Sequence, residues 1–558
     1  MLQYQTIIEQ TLMNKTMTER YETIPERLFS VHPKRLYEEM PQILNDCERI
    51  QKAVLKEILE LSQSSAYAQE HNLVGVTNWE TWKEKACISN YGDYKLYIKS
   101  ALQGSENQLY SGETLLYIAT TGSTGNVKYF LESKAGDAAK QLVMAIRGMY
   151  MSELLPVTLD MEAKNLTISN YAPVGDSRDG KLIVRASGQT ARNMRKKTGV
   201  MNLLPIEFWE STGLSADTRD YMMAVYTLAE VRMSKIFCNN LIHFGRLLDR
   251  IQAQGQQMIE DIRYGVFSIS LPNAVKERLK PTFKANPQRA DELQRIYNKK
   301  QCLIVDANSI ASIWPSLSMV SCWLSAAVGR DAREVLRRLP KGIECFDLGY
   351  GASEGKLNIP VKLADAAGVA ASFSCFYEFL PLDGGAPLSL WEVEDGVYYE
   401  LLITTYSGLY RYNMQDVIKI EGFTGNTPNL LFCGKSSDVI WKNGRKYYSY
   451  QFMELLYQLE QQYKIEFDLV QLYQEEENLF YLLESKQEIN FVQVKKTLDD
   501  WTNQQMGFSS AGIYVMKHTY KNDLFTELAG EERGVCGIKL PVMVQVVPQQ
   551  AIEMIVVS

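Results

Sequence analysis

Two short apolar runs, residues 115–118 and 129–131, enclose the segment Thr120, Thr121, Gly122, Ser123, Thr124, Gly125, Asn126, Val127, Lys128, which forces a strand, a loop and a strand. Gly122 and Gly125 permit positive φ, so successive backbone N–H groups can turn toward one anion. Ser123, Thr124 and Lys128 add hydroxyls and a positive charge. The segment reads as a phosphate cradle suited to a nucleoside triphosphate. Its Gly-x-x-Gly-x-x-Lys spacing departs from the common NTPase loop, which sets four residues between its glycines and follows with Lys-Ser/Thr, so that class is disfavoured. A Ser/Thr/Gly hairpin turn is the other reading of the same residues.

At 558 residues the chain exceeds what one hydrophobic core supports, so at least two domains are expected, one much larger than the other. A 46% apolar, 22% charged composition suits a folded enzyme and not a disordered chain. The net charge of −7, with no Lys/Arg-rich block, argues against nucleic acid as a partner. No basic region followed by an apolar core opens the chain, and no stretch approaches the ~20 apolar residues of a spanning helix. These features point to the cytoplasm and away from a membrane. Nine cysteines without a Cys-x-x-Cys pair suit reduced thiols better than disulfides or zinc. His32, His71, His243 and His518 lie far apart without a metal-ligand or nucleophile signature, so they read as structural or surface histidines.

Along the chain, Ile43, Cys47, Ile50, Val54, Ile58 and Leu61 recur at three/four spacing and predict one opening helix. Met222, Val225, Ala229, Met233 and Ile236 predict a second long helix over about 217–251. Strand-like runs at 303–306, 344–348 and 398–404 alternate with helical stretches such as 330–339, the pattern of an α/β sheet with covering helices. Ligands then belong at strand ends. After about Phe432 the texture changes to helix 450–463, strands 465–473 and 479–485, helix 489–505 and strand 512–518, a separate small α+β domain. Residues 424–428 supply a turn, and 434–438 the candidate joint.

A second block, Gly349, Tyr350, Gly351, Ala352, Ser353, Glu354, Gly355, follows the predicted strand 344–348. Tyr350 can stack on a base and Glu354 can give Mg²⁺ a hard oxygen ligand; a glycine turn with a solvated glutamate is the plainer reading. A third block over 404–416 exits the strand 398–404, and its Asp416 can accept hydrogen bonds from ribose hydroxyls; alone it is an aromatic turn.

In this order the three blocks resemble the adenylate-forming enzyme superfamily, whose motifs read Thr-Ser-Gly-Thr-Thr-Gly-x-Pro-Lys, Tyr-Gly-x-Thr-Glu and Tyr-x-x-Gly-Asp. Val127 stands where proline is usual and Gln415 where glycine is usual. Gly408-Leu409-Tyr410-Arg411-Tyr412 with Asp416-Val417 and Gly422-Phe423 narrows the resemblance to the Gretchen Hagen family of acyl acid amido synthetases. Asn90-Tyr91-Gly92-Asp93-Tyr94, Asp261-Ile262-Arg263-Tyr264-Gly265, Ile313-Trp314-Pro315 and Tyr377-Glu378-Phe379-Leu380-Pro381 are similar to further landmarks of that family. Gly537-Ile538-Lys539-Leu540-Pro541 is similar to its Lys-x-Pro segment and nominates Lys539, although Val542 stands where arginine is usual.

The resemblance implies a large N-terminal adenylate-forming α/β domain with mixed sheets and covering helices over 1–432, a hinge over 433–438 and a small mobile C-terminal α+β domain over 439–558. It implies ATP and Mg²⁺, with a carboxylic acid attacking the α-phosphorus to give acyl-AMP and pyrophosphate and an amine, an amino acid in this family, then displacing AMP. The implied nucleotide-binding residues are Thr120, Thr121, Gly122, Ser123, Thr124, Gly125, Lys128, Tyr350, Gly351, Ala352, Ser353, Glu354, Tyr412, Asp416 and Lys435. Glu354 would be the metal ligand, and Lys128 and Lys539 the charge-stabilising groups of catalysis. No side-chain nucleophile is needed, which fits the sparse histidines. A thioester ligase using CoA or a carrier-protein thiol shares all these residues, and an inert nucleotide-binding or interaction protein is the third reading. The acyl pocket is expected between the loop and the long helix, including residues 184–201 and Tyr350. Arg185, Arg192 and Arg195 there can meet a carboxylate or form a solvated loop.

Overall fold

The computed structural model describes residues 32–121, 127–155, 162–169, 174–186, 188–189, 202–211, 213–304, 306–530 and 540–557. Strand Thr114–Thr121 pairs antiparallel with Val127–Ser133, setting Thr120 opposite Lys128 and Thr121 opposite Val127. The expected strand–loop–strand frame is therefore a hairpin. Its tip residues Gly122, Ser123, Thr124, Gly125 and Asn126 lie outside the described residues. Strand Leu182–Val184 runs parallel to Thr114–Thr121 on its other edge and pairs with Gly175–Asp176, completing a four-stranded sheet. Helix Lys134–Leu154 starts directly behind the hairpin because Ser133 caps it: the Ser133 Oγ accepts the Gly136 N–H at 2.9 Å.

A second four-stranded sheet, Lys164–Ile168, Met233–Cys238, Met319–Cys322 and Glu344–Asp347 in that order, is wholly parallel. Helices Ala216–Ala229, Ile242–Tyr264 and Ala326–Leu336 share its core through residues such as Met222, Leu248 and Val335. The largest sheet has seven strands, all antiparallel to their neighbours. Their order is Leu388–Ser389, Phe376–Pro381, Tyr398–Thr404, Tyr412–Thr424, Thr427–Lys435, Gly368–Ala370, Asn358–Pro360. It packs into one core with the hairpin of Thr114–Thr121 and Val127–Ser133 and with the opening helices.

Beyond Lys435 a hairpin, Val439–Lys442 with Arg445–Tyr448, contributes Ile440 to a separate core. Helices Ser449–Tyr463 and Phe491–Met506 bury Phe452, Leu455, Leu459, Phe491, Val494 and Leu498 in that core. They cover a five-stranded sheet ordered Met543–Val544, Leu469–Glu475, Asn478–Glu484, Gly512–Met516, Ile552–Val557. The helix–strand–strand–helix–strand order expected after Phe432 is observed, and helix Tyr520–Gly530 and the last two strands extend it.

Three expectations are corrected. The opening stripe spans two helices, Pro33–Asn45 and Cys47–Ser62, because Asp46 leaves the helical region at φ −121°, ψ 42° while its N–H still donates back to Gln42 and Ile43. The predicted helix 217–251 divides into helix Ala216–Ala229, strand Met233–Cys238 and helix Ile242–Tyr264. Ala229, Met233 and Ile236 satisfy the helical period by coincidence, and the run Ile236-Phe237-Cys238 is drawn between two parallel strands. Among the described residues of 303–306 none lies in a strand: Leu303 and Ile304 are buried outside any sheet, and the Asp306 side chain caps helix Ala307–Ile313. Among the described residues no helix is long and apolar enough to cross a membrane.

Candidate active site

Asp347, the last residue of its strand, builds the second block. Its carboxylate accepts the Gly349 N–H at 2.6 Å and the Leu324 N–H at 2.7 Å. Burial pushes its carboxyl up to about 7 against those two donors and the nearby Arg147. Downstream, the Asn358 Oδ1 accepts the Tyr350 N–H at 2.5 Å, the Leu357 N–H donates to the Tyr350 carbonyl, and the Ala352 N–H donates to the Gly355 carbonyl. Residues 350–357 thus form a tight turn at a strand end, where a parallel α/β sheet presents its ligand groups.

This turn meets the other blocks. The Tyr350 hydroxyl donates to Asp416 Oδ2, and the Tyr350 ring stacks on Phe432 with centroids 5.3 Å apart. Lys435, directly opposite Asp416 across the antiparallel pair, forms an ion pair with Asp416 Oδ1. Burial works against the Lys435 charge, but Asp416, with Glu354 and Asp438 adding to it, holds the ammonium pKa above its ordinary value. Burial, then the Asp416 and Glu354 charges, raise the Tyr350 hydroxyl far above the usual phenol range; burial and the same two carboxylates raise Tyr412 as well. Glu354 is raised by burial, with Lys435 and Lys128 opposing and Asp416 adding to the shift. Asp416 itself is 2% exposed, and Lys435, whose side chain is 42% exposed, covers it from the solvent side.

On the hairpin side, Lys128 lies over the Tyr91 ring at 5.3 Å, and the Tyr91 hydroxyl accepts the Tyr129 N–H at 2.8 Å, fixing the strand that carries Lys128. Tyr91 opens helix Tyr91–Leu102, which is held by an Asn90/Asp93 capping box. That landmark is therefore a clamp on the hairpin strand Val127–Ser133. A cleft between hairpin and turn is lined by Phe130, Lys140, Ser353, Glu354, Ser407 and Leu409.

Sequence reasoning missed the residue that ties the blocks together. Glu132, fully buried, accepts from Ser407 at 2.9 Å and pairs with Lys140 at 2.5 Å, and Lys140 also donates to the Ser353 carbonyl at 2.9 Å. First, second and third blocks are thereby joined through one carboxylate. The available signal was a charge following the apolar run 129–131. Gly136 is part of the same device, since an added Cβ there would come within 2.0 Å of Ser407 Oγ and 2.7 Å of Glu132 Oε1.

A second buried anchor lies behind the third block. Arg411 makes a bidentate contact with Glu378, Nη2 to Oε1 at 2.7 Å and Nε to Oε2 at 3.0 Å, while the Trp82 indole donates to Glu378 at 3.2 Å. Arg411 and Gln415 both adopt positive φ, +45° and +53°.

Residues 36–332, more than half of the chain, match the GH3 family N-terminal domain, and residues 368–435 match the GH3 family central domain. The chain belongs to the GH3 family. Among curated GH3 relatives, jasmonoyl-L-amino acid synthetase GH3.5 of Oryza sativa subsp. japonica is 24% identical over 447 residues, 72% of this chain and 73% of the relative. Probable indole-3-acetic acid-amido synthetase GH3.1 of Arabidopsis thaliana is 22% identical over 426 residues, 71% of this chain and 68% of the relative. The GH3 fold is shared with a solved structure of AtGH3.15 acyl acid amido synthetase in complex with 2,4-DB, at TM-score 0.80, 16% identity, and coverage of 96% of this chain and 99% of that one. In this GH3 chain Lys539, and residues 190–201 of the expected acyl segment with Arg192 and Arg195, lie outside the described residues. The remaining nominated residues, Thr120, Lys128, Tyr350, Gly351, Ala352, Ser353, Glu354, Tyr412, Asp416 and Lys435, fall on the hairpin, the turn and the facing strand pair. Thr121 ends its strand.

Proposed function

We propose that this GH3 chain is an ATP-dependent acyl acid amido synthetase. The observation carrying the reading is the convergence of Tyr350, Glu354, Asp416 and Lys435 at one strand-end turn, linked through Lys140 and Glu132 to the hairpin of Lys128. A carboxylate oxygen of the acid attacks the α-phosphorus of ATP, the bond to the β-phosphate oxygen breaks, and pyrophosphate leaves with its electron pair. The amine nitrogen of an amino acid then attacks the acyl carbon, AMP departs with the former carboxylate oxygen, and the amine gives up a proton. A free carboxylate lacks a good leaving group, and joining it to AMP supplies one.

In this scheme the Tyr350 ring face opposite Phe432 takes the adenine, and Asp416 takes the ribose as Lys435 swings off it. Thr120, Thr121, Gly122, Ser123, Thr124, Gly125 and Lys128 hold the phosphates, with Gly351, Ala352 and Ser353 forming the wall beside them. Tyr412 supports the carboxylate pair, and Lys539 serves the α-phosphate and reacting carboxylate. Glu354 fits a Mg²⁺ ligand, because it makes no ion pair among the described residues and no group of three ligating side chains gathers there, as suits a cation shared with phosphates. Bound there, Mg²⁺ would offset phosphate charge. Residues 433–438 act as the hinge between an N-terminal domain of residues 1–432 and a C-terminal domain of residues 439–558. Amide rather than thioester formation is favoured because the relatives covering most of the chain are named amino acid or amido synthetases.

ATP–pyrophosphate exchange across a panel of carboxylic acids, followed by amino acid and CoA acceptors with mass detection, tests the reading. Acid-dependent exchange and an amide product are expected; no exchange with any acid overturns it. Asp416→Ala is expected to raise the KM for ATP strongly in the same assay.

A further inference from the structure

The successive peptide groups that lead into Tyr350 are each held at both ends by side chains. Between Leu348 and Gly349, the Arg147 guanidinium donates to the Leu348 carbonyl and the Gly349 N–H donates to Asp347 Oδ1 at 2.6 Å. Between Gly349 and Tyr350, the Trp323 indole N–H donates to the Gly349 carbonyl at 2.9 Å and the Tyr350 N–H donates to Asn358 Oδ1 at 2.5 Å. These side chains come from separate places: helix Lys134–Leu154, the end of strand Glu344–Asp347, the loop after strand Met319–Cys322, and strand Asn358–Pro360. Loop backbone at a protein surface ordinarily satisfies such groups with water or with neighbouring backbone. Here the planes are fixed instead. A planar peptide pinned at both its carbonyl and its N–H does not rotate, so the direction in which the Tyr350 side chain leaves the backbone is set.

Gly349 is what lets the turn sit this close to strand Asn358–Pro360. It holds φ +77°, and an added Cβ there would come within 2.9 Å of the Asn358 carbonyl oxygen and 3.3 Å of Pro360 Cδ. Trp323 is in turn located by backbone: its N–H donates to the Asn239 carbonyl at 3.1 Å, and the next N–H, of Leu324, donates to Asp347 Oδ2 at 2.7 Å. Asn358 carries the constraint onward. Its Nδ2 donates at 2.8 Å to the carbonyl of Leu430, on the strand that also bears Phe432 and Lys435. The Tyr350 ring is thus seated from its backbone by Trp323 and Asn358 and from its hydroxyl by Asp416, with Phe432 stacked on the ring. A ring restrained in this way has little freedom left to lose when a base lies on it.

Resting on the reading of Tyr350 as the adenine platform, we propose that Trp323 is a positioning residue for the nucleotide: with Asn358 it fixes the peptide plane before Tyr350, and its indole N–H acts on ATP binding through the Tyr350 ring. Trp323 lies 26 residues before Gly349, outside all three motif blocks.

The test is ATP–pyrophosphate exchange at about pH 8, with an acid the wild type activates, by the full-length wild type, Trp323→Phe, Trp323→His, Tyr350→Ala and the Trp323→Phe/Tyr350→Ala double variant. Trp323→Phe keeps an aromatic ring without a donor; Trp323→His, neutral at this pH, restores a ring N–H at the same remove from Cγ as that of the indole. Trp323→Phe is expected to raise the KM for ATP about fivefold, the worth of one hydrogen bond, and to leave the KM for the acid within about twofold. Tyr350→Ala is expected to raise the KM for ATP about tenfold, the worth of one stacked base. The double variant is expected to match Tyr350→Ala, and Trp323→His to return toward the wild type. KM does not depend on the fraction of enzyme that is folded, so partial misfolding cannot imitate this pattern. The proposal is overturned, and the amido synthetase reading left standing, by an unchanged KM for ATP in Trp323→Phe or in Tyr350→Ala, or by a KM for the acid raised as much as that for ATP. Effects that multiply in the double variant, or a Trp323→His no nearer the wild type than Trp323→Phe, overturn it equally. Exchange with no acid at all overturns both.

Discussion

Gln415 shows how a single departure from a motif becomes intelligible through backbone geometry. The superfamily pattern sets glycine between Tyr412 and Asp416, and here Gln415 holds φ +53° with its side chain exposed. Left-handed backbone costs a side-chain-bearing residue roughly 1–2 kcal/mol, while glycine costs about 0.5–1 kcal/mol more chain entropy on folding. Gln415→Gly is therefore expected to stabilise the chain by about 0.5–1 kcal/mol, read as a raised urea midpoint; a lowered midpoint would show that the Gln415 side chain supports the turn. Arg411 is the opposite case, legible as a motif residue but not in its role. Its guanidinium is 7% exposed and its partner Glu378 1%. Removing one member of such a pair leaves a buried charge, so Arg411→Met is expected to cost about 3–5 kcal/mol. Arg411→Lys recovers only part, since an ammonium cannot reproduce the bidentate fork. Thermal unfolding of both variants measures this. Tyr350, Glu354 and Asp416 could be named from sequence because each ends or follows a strand-like run. Glu132 and Trp82 could not, because their partners lie 275 and 296 residues away.

At the scale of elements, legibility followed how many physical signals agreed. The strand Tyr398–Thr404 and the small-domain helices Ser449–Tyr463 and Phe491–Met506 have period, length and flanking turns in accord, and lie where the sequence puts them. The stretch 217–251 offered period alone, and the short parallel strand inside it is specified by neighbours 69 or more residues away. Asp347 couples an element to pH in a way that no local pattern announces. Its folded pKa of about 7 lies above the ordinary carboxyl value of 3.8. The stability it contributes is complete below the unfolded value and is lost as pH rises through 7, where the buried carboxylate must ionise. Wild-type urea midpoints are expected to fall relative to those of Asp347→Asn between pH 5 and pH 8. Parallel curves would mean that Asp347 is ionised throughout and that its two N–H donors outweigh burial.

Across the whole molecule, helix Ala326–Leu336 and its flank form the surface on which the small domain rests, and the contacts are mostly ionic. Lys521 reaches Asp331 at 2.9 Å and Glu334 at 2.7 Å, Arg330 pairs with Glu460 and donates to the Phe467 carbonyl at 3.2 Å, and Arg337 meets Glu466 at 2.8 Å. Phe525 packs beside the buried His243, whose ring nitrogens have no hydrogen-bond partner among the described residues and whose pKa burial lowers to about 3. Ionic contacts of this kind hold one arrangement yet separate without exposing a large apolar face, which suits the proposed turn at residues 433–438. Lys521 is the member with most to lose: it is 6% exposed, and Asp331 and Glu334 hold its pKa above the ordinary ammonium value against burial. Truncating one partner of such a pair costs about 2–5 kcal/mol. Lys521→Met should therefore shift the population away from this arrangement by roughly 30-fold or more, with little effect on either domain's own core. The expected outcome is faster tryptic cleavage near Lys435, and one half-reaction slowed while the other is preserved, read separately as pyrophosphate exchange and as amide formation from preformed acyl-AMP. If the wild type gives the same tryptic pattern with ATP and with AMP, and Lys521→Met slows both half-reactions equally, the hinge at 433–438 does not turn during the cycle and the ionic surface is a fixed joint.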